Sequence, residues 1–363
     1  MKILFDHQIF GAQRFGGISR YFVELAKNLI KNGNHVDILA PVHHNIHLND
    51  FNIEKNIKNN LYFDVNFRGF SRTIQILNQN LSRCFFRHSK VDLIHETYYN
   101  YKAYKSNLPR IVTIHDMTDE VLGRSLGVIS GVSKLKKRAV DSADHIICVS
   151  KNTQKDLIEI FGVPEIKTSV VHHGYSIFES NGKIESSKPY ILFVGNRSYY
   201  KNFFGLINAF SKSERIKQSF NLVAFGGATF SRSELNLIDQ LRLTGKVFHA
   251  SGNDSILAQY YRGATSFIYP SYYEGFGMPL LEAMYYSCPV VSSNTSCMLE
   301  IAGDAAIYFD PSNLDQMINA LELSIFDSKI RQNSIVNGLG RINQFSWNKC
   351  AQETEKIYIN FSK

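Results

Sequence analysis

Residues 1–39 read MKILFDHQIFGAQRFGGISRYFVELAKNLIKNGNHVDIL, and the order of elements in this stretch decides the class of fold. Ile3, Leu4 and Phe5 form a short apolar run stopped at once by Asp6 and His7, which reads as a buried strand. A loop through Gly11, Gly16 and Gly17 comes next. Ile18, Phe22, Leu25 and Leu29 then stand at offsets of four, seven and eleven, the stripe of one helix face. Asn32-Gly33-Asn34 ends that helix, and residues 36–39 make a second strand. Strand, helix, strand in this order implies a parallel pair joined by a right-handed crossover.

The alternation continues outward. Residues 91–94, 111–114, 145–149 and 169–171 are further apolar runs separated by helical or polar stretches. Residues 179–188 (ESNGKIESSK) are polar, carry Gly and Ser, and have no periodicity, so they read as a linker. The pattern then restarts with runs at 190–194, 221–225, 247–248, 266–268 and 289–292, and a helix through Leu206 and Phe210. Two such blocks predict an α/β protein of two doubly wound, Rossmann-like domains, residues 1–180 and 186–345, facing a cleft. Residues 346–358 read as one last helix.

A chain of 363 residues is comfortable for two domains, and 44% hydrophobic with 20% charged residues excludes a disordered chain. No run approaches the roughly 18 apolar residues of a membrane span. The first residues give no secretory signal. The five cysteines are scattered and lack a CxxC pair, which argues for reduced thiols in a cytoplasmic protein and against a zinc site. The net charge of +8 suits nucleic acid, an anionic membrane or a phosphorylated substrate, or nothing beyond a solvated surface. Within it, SKLKKR at 133–138, with Lys151 and Lys155, reads as a solvated helix surface or as a basic face docking on anionic lipid. His43-His44-x-x-His47 has no carboxylate or cysteine at ligand spacing and reads as a solvated cluster rather than a metal site.

The chemistry concentrates in residues 267–311, FIYPSYYEGFGMPLLEAMYYSCPVVSSNTSCMLEIAGDAAIYFDP. A buried strand ends at Pro270, and a loop with Glu274-Gly275-Phe276-Gly277 leads to a helix with Pro279 at its start. Glycines before a helix let the backbone approach a ligand, and the helix N-terminus favours an anion. Glu274 stands in the loop and Glu282 on the helix. Two carboxylates there would repel a phosphate, so they suit hydrogen bonds from sugar hydroxyls; alternatively Glu282 complements the helix dipole and Glu274 is solvated. Lys201 follows a strand and precedes a helix, where a compact ammonium suits a diphosphate. His115-Asp116 ends the 111–114 strand, where open α/β sheets place ligands. Tyr98 and Tyr99 end the strand before it and either line a groove or pack on the sheet.

Glu274 and Glu282, with seven residues between them, resemble the E-x7-E signature of the retaining GT-B glycosyltransferases of family four, the group 1 glycosyltransferases. GGISRYF, VTIHDM, ICVSKNTQKDL, FVGNRSYYKN, PVVSSN, EIAGDAAIYFDP and FSWNKCAQET are similar to the family's other segments, in its order and over nearly the whole chain. The resemblance implies a GT-B architecture whose C-terminal helix, residues 346–363, crosses back to the first domain. It implies that Glu282 binds the nucleotide ribose and Glu274 a hydroxyl of the transferred sugar. The amides from Phe276 to Leu280, including Gly277 and Met278, and that of Gly275 would face the diphosphate and sugar. Gly16 and Gly17 match the glycine loop that closes over the diphosphate, and His115 the histidine beside the donor sugar. The family commonly places an arginine directly after the VG dipeptide to bind the phosphate; Asn196 stands there, and Arg197, one residue later, is expected to reach the same phosphate from a shifted backbone.

The same resemblance implies a metal-independent hexosyltransferase acting with retention, with no metal and no pyridoxal phosphate, GDP-mannose being the leading donor. The acceptor would be a glycan or lipid-linked glycan of bacterial surface polysaccharide (O-antigen or capsule), reached from the cytoplasm or the inner face of the plasma membrane. No Asp-x-Asp occurs to hold a divalent ion. A two-domain sugar-nucleotide epimerase shares the architecture but not the glutamate pair. A basic nucleic-acid-binding protein explains the charge but neither glutamate, and no nucleic acid is expected as a partner.

Overall fold

The computed structural model describes residues 1–52, 60–64, 70–86, 90–99, 106–126, 130–179, 182–184, 186 and 188–362. The chain forms two compact units, residues 1–174 with 346–363, and residues 175–345. The division falls after Gly174, a few residues ahead of the polar stretch that the sequence marks as a linker.

Unit 1 begins with β1 (Lys2–Phe5), a short α1 (Gln8–Ala12), α2 (Gly17–Lys31) and β2 (His35–Ile38). A small parallel pair, β3 (Val42–His43) and β4 (Leu61–Tyr62), comes next, with α3 (Ile46–Asn52) between its strands and α4 (Phe70–Phe86) after them. The alternation then resumes with β5 (Leu93–Glu96), β6 (Arg110–Ile114), α5 (Thr118–Leu126) and α6 (Gly131–Ser142). It ends with β7 (His145–Cys148), α7 (Lys151–Phe161) and β8 (Thr168–Val170). The six main strands lie parallel in the order β2-β1-β5-β6-β7-β8.

Unit 2 opens with β9 (Tyr190–Val194), α8 (Phe203–Lys212), α9 (Glu214–Ser219), β10 (Asn221–Phe225) and α10 (Arg232–Gln240). Then come β11 (Val247–Ala250), α11 (Asp254–Gly263), β12 (Ser266–Tyr269) and α12 (Met278–Tyr285). β13 (Val290–Ser293), α13 (Met298–Ala302), β14 (Ala306–Phe309), α14 (Leu314–Phe326) and α15 (Ser328–Arg341) complete it. The sheet is parallel throughout, in the order β11-β10-β9-β12-β13-β14.

Helices on both faces of a parallel sheet bury its strands on both sides, so the strands read as continuous apolar runs. All five residues of β9 and of β10 are buried. The core of unit 2 joins Ile191 and Phe193 of β9 to Leu222 of β10, Ile268 of β12 and Val291 of β13, under Leu206 and Phe210 of α8. Each such buried side chain contributes about 1.5–3 kcal/mol over leaving it in water.

The last helix, α16 (Trp347–Phe361), packs on α2 within unit 1. Tyr358 meets His95 of β5 at 2.5 Å, and Asn34 Nδ2 donates to Glu355 Oε1 at 2.7 Å. The junction is close: a Cβ on Gly174 would stand 2.2 Å from the Trp347 backbone nitrogen.

Candidate active site

Open α/β sheets bind ligands beyond the carboxyl ends of the strands at which the sheet order reverses. In unit 2 those strands are β9 and β12. The loop after β9 carries Asn196, Arg197 and Lys201; the loop after β12 carries Ser271, Glu274 and the glycines before α12. The two loops are tied together. The Tyr272 N–H donates to the Tyr200 carbonyl at 2.7 Å, and the rings of Tyr199 and Tyr272 stack at 5.8 Å.

Lys201 Nζ donates to Glu274 Oε1 at 2.5 Å and to the Tyr269 hydroxyl at 3.2 Å. Both charged side chains are nearly buried, at 11% and 12% exposure. Glu274 is further fixed by the Ser271 hydroxyl, which donates to Oε1 at 2.7 Å, and by its own N–H, which donates to Ser296 Oγ at 3.1 Å. An ammonium has three donors, so Lys201 keeps one beyond these two bonds. Burial first, and then the Glu274 carboxylate, hold the Tyr269 phenol well above its usual range.

Behind the loop, Gly277 caps α12 with φ of +88°, a left-handed conformation that disfavours any residue with a Cβ. Pro279 lies in the first turn, as expected. The array of amides is narrower than the sequence suggests. Pro279 has no N–H, and the Leu280 N–H is turned back to the Gly277 carbonyl at 3.0 Å. The Phe276 side chain is buried with its ring edge-on to Phe345 at 5.9 Å, so only the backbone of Phe276 can serve a ligand. Glu282 lies one turn further along α12, 7% exposed, and its Oε2 accepts from the Tyr261 hydroxyl at 3.1 Å. Burial and the neighbouring Glu282 hold that phenol far above its usual range, so it remains a donor.

Arg197 is turned away from the Lys201–Glu274 pair. Its Nε donates to Glu234 at 2.7 Å, Nη1 to the Gly226 carbonyl at 2.9 Å, and Nη2 to the carbonyls of Ala228 and Thr229. Glu234 belongs to a capping box with Ser231 at the start of α10. The guanidinium therefore ties the loop after β9 to this helix terminus.

In unit 1, Gly16 precedes and Gly17 begins the fifteen-residue α2 at the carboxyl end of β1. His115 follows β6, buried, with its ring edge-on to Tyr21 at 5.0 Å and to His173 at 5.6 Å. Burial lowers its pKa to about 3, so the ring is neutral, and neither ring nitrogen has a hydrogen-bond partner among the described residues. Its turn is held from below by Lys136, whose buried ammonium donates to the Asp116 carbonyl at 2.9 Å and pairs with Glu120 at 2.7 Å. The run at 133–138 is thus not a uniform basic face: Lys136 points inward under the Tyr99 ring, and Lys137 pairs with Asp141. Tyr99 itself is buried. The histidine cluster departs from its expected solvation too. His43 is in β3 and buried, His44 is buried beside it, and His47 packs its ring on Phe15 at 4.7 Å. Burial lowers His43 to about 4 and His47 to about 3.

Sequence reading missed the groups that hold these side chains. Ser271, Ser296, Tyr269 and Tyr261 give no spacing signal of their own. Asp6 and Thr97, where the first sheet reverses between β1 and β5, are linked by the Thr97 N–H donating to Asp6 Oδ1 at 3.0 Å. No helix among the described residues is long and apolar enough to cross a membrane, and the five cysteines form no disulfide.

Two family models match consecutive stretches: Glycosyltransferase Family 4 over residues 15–177, and Glycosyl transferases group 1 over residues 177–340. The chain is 28% identical over 241 residues to an O-antigen chain mannosyltransferase B of Escherichia coli, covering 62% of this chain and 63% of that protein. It is 29% identical over 182 residues to the O-antigen chain mannosyltransferase RfbU of Salmonella typhimurium, covering 49% of this chain and 50% of that one. The matched region thus spans less than two thirds of either relative's length. The fold is that of Anabaena HepE, solved in complex with UDP, with a TM-score of 0.74 at 17% identity over 99% of this chain and 100% of that one.

Proposed function

We propose, because the chain belongs to the group 1 glycosyltransferases of family four and has their GT-B fold, that it moves a hexose from a nucleotide-sugar to an acceptor hydroxyl with retention of configuration. The observation that carries this reading is the Lys201–Glu274 pair at the reversal point of the second sheet, with Glu282 further along in α12. In it, Glu282 holds the ribose, the amides of Gly277 and Met278 with the third donor of Lys201 face the diphosphate, and Glu274 accepts from a sugar hydroxyl.

The bond from the anomeric carbon to the diphosphate oxygen breaks, and the bond to the acceptor oxygen forms on the same face. The acceptor proton passes to a departing phosphate oxygen. Lys201 stabilises the negative charge that develops on the leaving group. Mannose from GDP-mannose is the leading donor, supported by the two O-antigen mannosyltransferase relatives. They also support a glycan or lipid-linked glycan of surface polysaccharide as acceptor. The absence of an Asp-x-Asp pair from the sequence supports a metal-independent site.

Thermal stability of the purified chain against GDP, UDP, CDP and dTDP, with EDTA present, tests the reading. A diphosphate at 100 times its Kd adds about 2.7 kcal/mol when it binds only the folded state. A shift with GDP alone is the expected result. A shift with UDP alone would overturn the donor, and no shift with any of the four, with or without magnesium, would overturn the nucleotide site.

A further inference from the structure

The two loops that carry the Lys201–Glu274 pair also carry an aromatic ledge that the pair does not use. Tyr199 is 80% exposed, more than any other Phe, Tyr or Trp among the described residues. One of its faces lies on the half-buried Tyr272, with the ring planes 28° apart. The other face is therefore turned outward. Lys201 stands two residues after Tyr199 on the first loop, and Glu274 two residues after Tyr272 on the second.

A lone tyrosine at a surface needs no explanation, but this one is held in place. It opens a single 3-10 turn, Tyr199–Lys201, that ends at Asn202 in the left-handed conformation, with φ of +54°. Asn202 is buried, and its Nδ2 donates to the Pro311 carbonyl at 2.9 Å. The bond from the Tyr272 N–H to the Tyr200 carbonyl fixes the second ring against the same turn. Tyrosine on a fixed backbone offers a large amphipathic contact at little cost in entropy.

The rim of the ledge is polar. Asp310 follows β14 at the same carboxyl end of the sheet. Burial first, then Tyr199 and Asp310, raise the Tyr272 phenol above its usual range, so it remains a donor. Asp310 Oδ1 accepts from the Ser312 N–H at 2.8 Å, which leaves Oδ2 as an acceptor. A flat ring face bordered by a phenol and a carboxylate matches a pyranose, whose C–H face is apolar and whose edge carries hydroxyls. Position selects which pyranose. Transfer on one face of the anomeric carbon needs the acceptor hydroxyl beside the donor sugar, and the ledge shares its loops with Glu274, the carboxylate assigned to that sugar. A nucleobase would extend instead from the ribose, which is assigned to Glu282 on α12.

We infer that Tyr199, stacked on Tyr272, is a platform for a pyranose ring of the acceptor glycan, with Asp310 accepting from that ring's hydroxyls. This rests on the transferase reading and deepens it, because it gives unit 2 a part in holding the acceptor.

The test is saturation-transfer NMR titration of the whole chain with mannotriose, maltotriose and chitotriose, beside thermal shifts with the four nucleoside diphosphates. Binding of at least one trisaccharide is expected, weakened about fivefold or more by Tyr199→Ala, the scale of one aromatic face, and kept by Tyr199→Phe. Because the ring is exposed, Tyr199→Ala should leave the ligand-free Tm and the diphosphate shift unchanged. Equal trisaccharide binding by Tyr199→Ala and wild type, or no binding of any trisaccharide, would overturn the inference while a diphosphate shift still upheld the transferase reading. A diphosphate shift lost in Tyr199→Ala would overturn it too, since the ring would then carry the nucleotide. A wild type with no diphosphate shift is the separate failure of the transferase reading, and the acceptor platform falls with it.

Discussion

Lys201 Nζ stands 2.5 Å from Glu274 Oε1, and the two side chains come from the loops that follow β9 and β12, the strands between which the second sheet reverses its order. Neither charge is fully in water, and removing one leaves the other desolvated without its partner. Lost stability of about 3–5 kcal/mol is the expected scale for such a buried pair. The relationship joins a cation suited to a diphosphate to a carboxylate suited to a sugar.

Glu274→Gln keeps the shape and removes the charge. Turnover is expected to fall by about a hundredfold or more, the scale on which one preorganised electrostatic group acts. Lys201→Met should cost as much, and the double variant little more than either single one, since the two act as a unit. Initial rates with each variant, beside circular dichroism to confirm folding, check this. Unchanged kinetics in Glu274→Gln would remove Glu274 from the chemistry.

Arg197 is expected to behave as a structural residue. Arg197→Ala strands the Glu234 carboxylate, which is buried at 6% side-chain exposure, and frees the carbonyls of Gly226, Ala228 and Thr229. The loss should be about 3–5 kcal/mol of stability. Lysine cannot replace it, because the bonds fan out from one planar fork. Denaturant unfolding and nucleotide affinity separate the two roles. A stable variant that binds the diphosphate at least about tenfold more weakly, a loss of about 1.4 kcal/mol, would restore Arg197 to the phosphate.

Both doubly wound sheets were legible because parallel strands buried on two faces leave continuous apolar runs, as in residues 190–194 and 221–225. β14 escaped notice because its AIYF is mostly half-buried. The pairing of β3 with β4 escaped because two-residue strands carry no period. Glu274 and Glu282 were legible through their spacing. The fate of Arg197 was not, although a local signal existed: Ser231-x-x-Glu234 is a capping box, and its glutamate needed a cation. Burial of Lys136 was hidden for the same reason, since a lysine-rich run looks solvated until Glu120 is brought beneath it.

Stability should depend on pH through Glu96, at the end of β5. Burial, then the nearby Asp6, raise its carboxyl from 4.5 to about 8 against the pull of Arg110 at 3.3 Å. Across that window the folded chain keeps a proton that the unfolded chain releases, so rising pH favours unfolding. His47, His95 and His115 act in the opposite sense, since burial lowers each from 6.5 to about 3 and stability is lost as pH falls below 6.5. Glu96→Gln is therefore expected to flatten the decline in Tm above about pH 6.5, where the histidines are neutral in both states, and to leave the histidine-driven acid loss in place. Parallel Tm profiles for wild type and variant would show that Glu96 does not titrate in this way.

Gly174 supplies the last prediction. A Cβ there would lie 2.2 Å from the Trp347 nitrogen and 2.6 Å from the Ser346 carbonyl carbon, backbone atoms that cannot swing aside. The chain leaves unit 1 at this glycine and returns to it at Ser346, so the contact closes the unit on its own C-terminal helix. Gly174→Ala must push α16 outward, loosening Trp347 from Tyr21 and Tyr358 from His95. Overpacking of this kind costs about 1–3 kcal/mol or more, which for a unit of this size lowers Tm by about 2–4 °C for each kcal/mol. Gly131→Ala is the control, because nothing among the described residues stands within 4 Å of its Cβ and it begins α6. A Gly174→Ala chain that melts with the Gly131→Ala control would mean that the junction gives way without cost and that α16 is not clamped at Trp347.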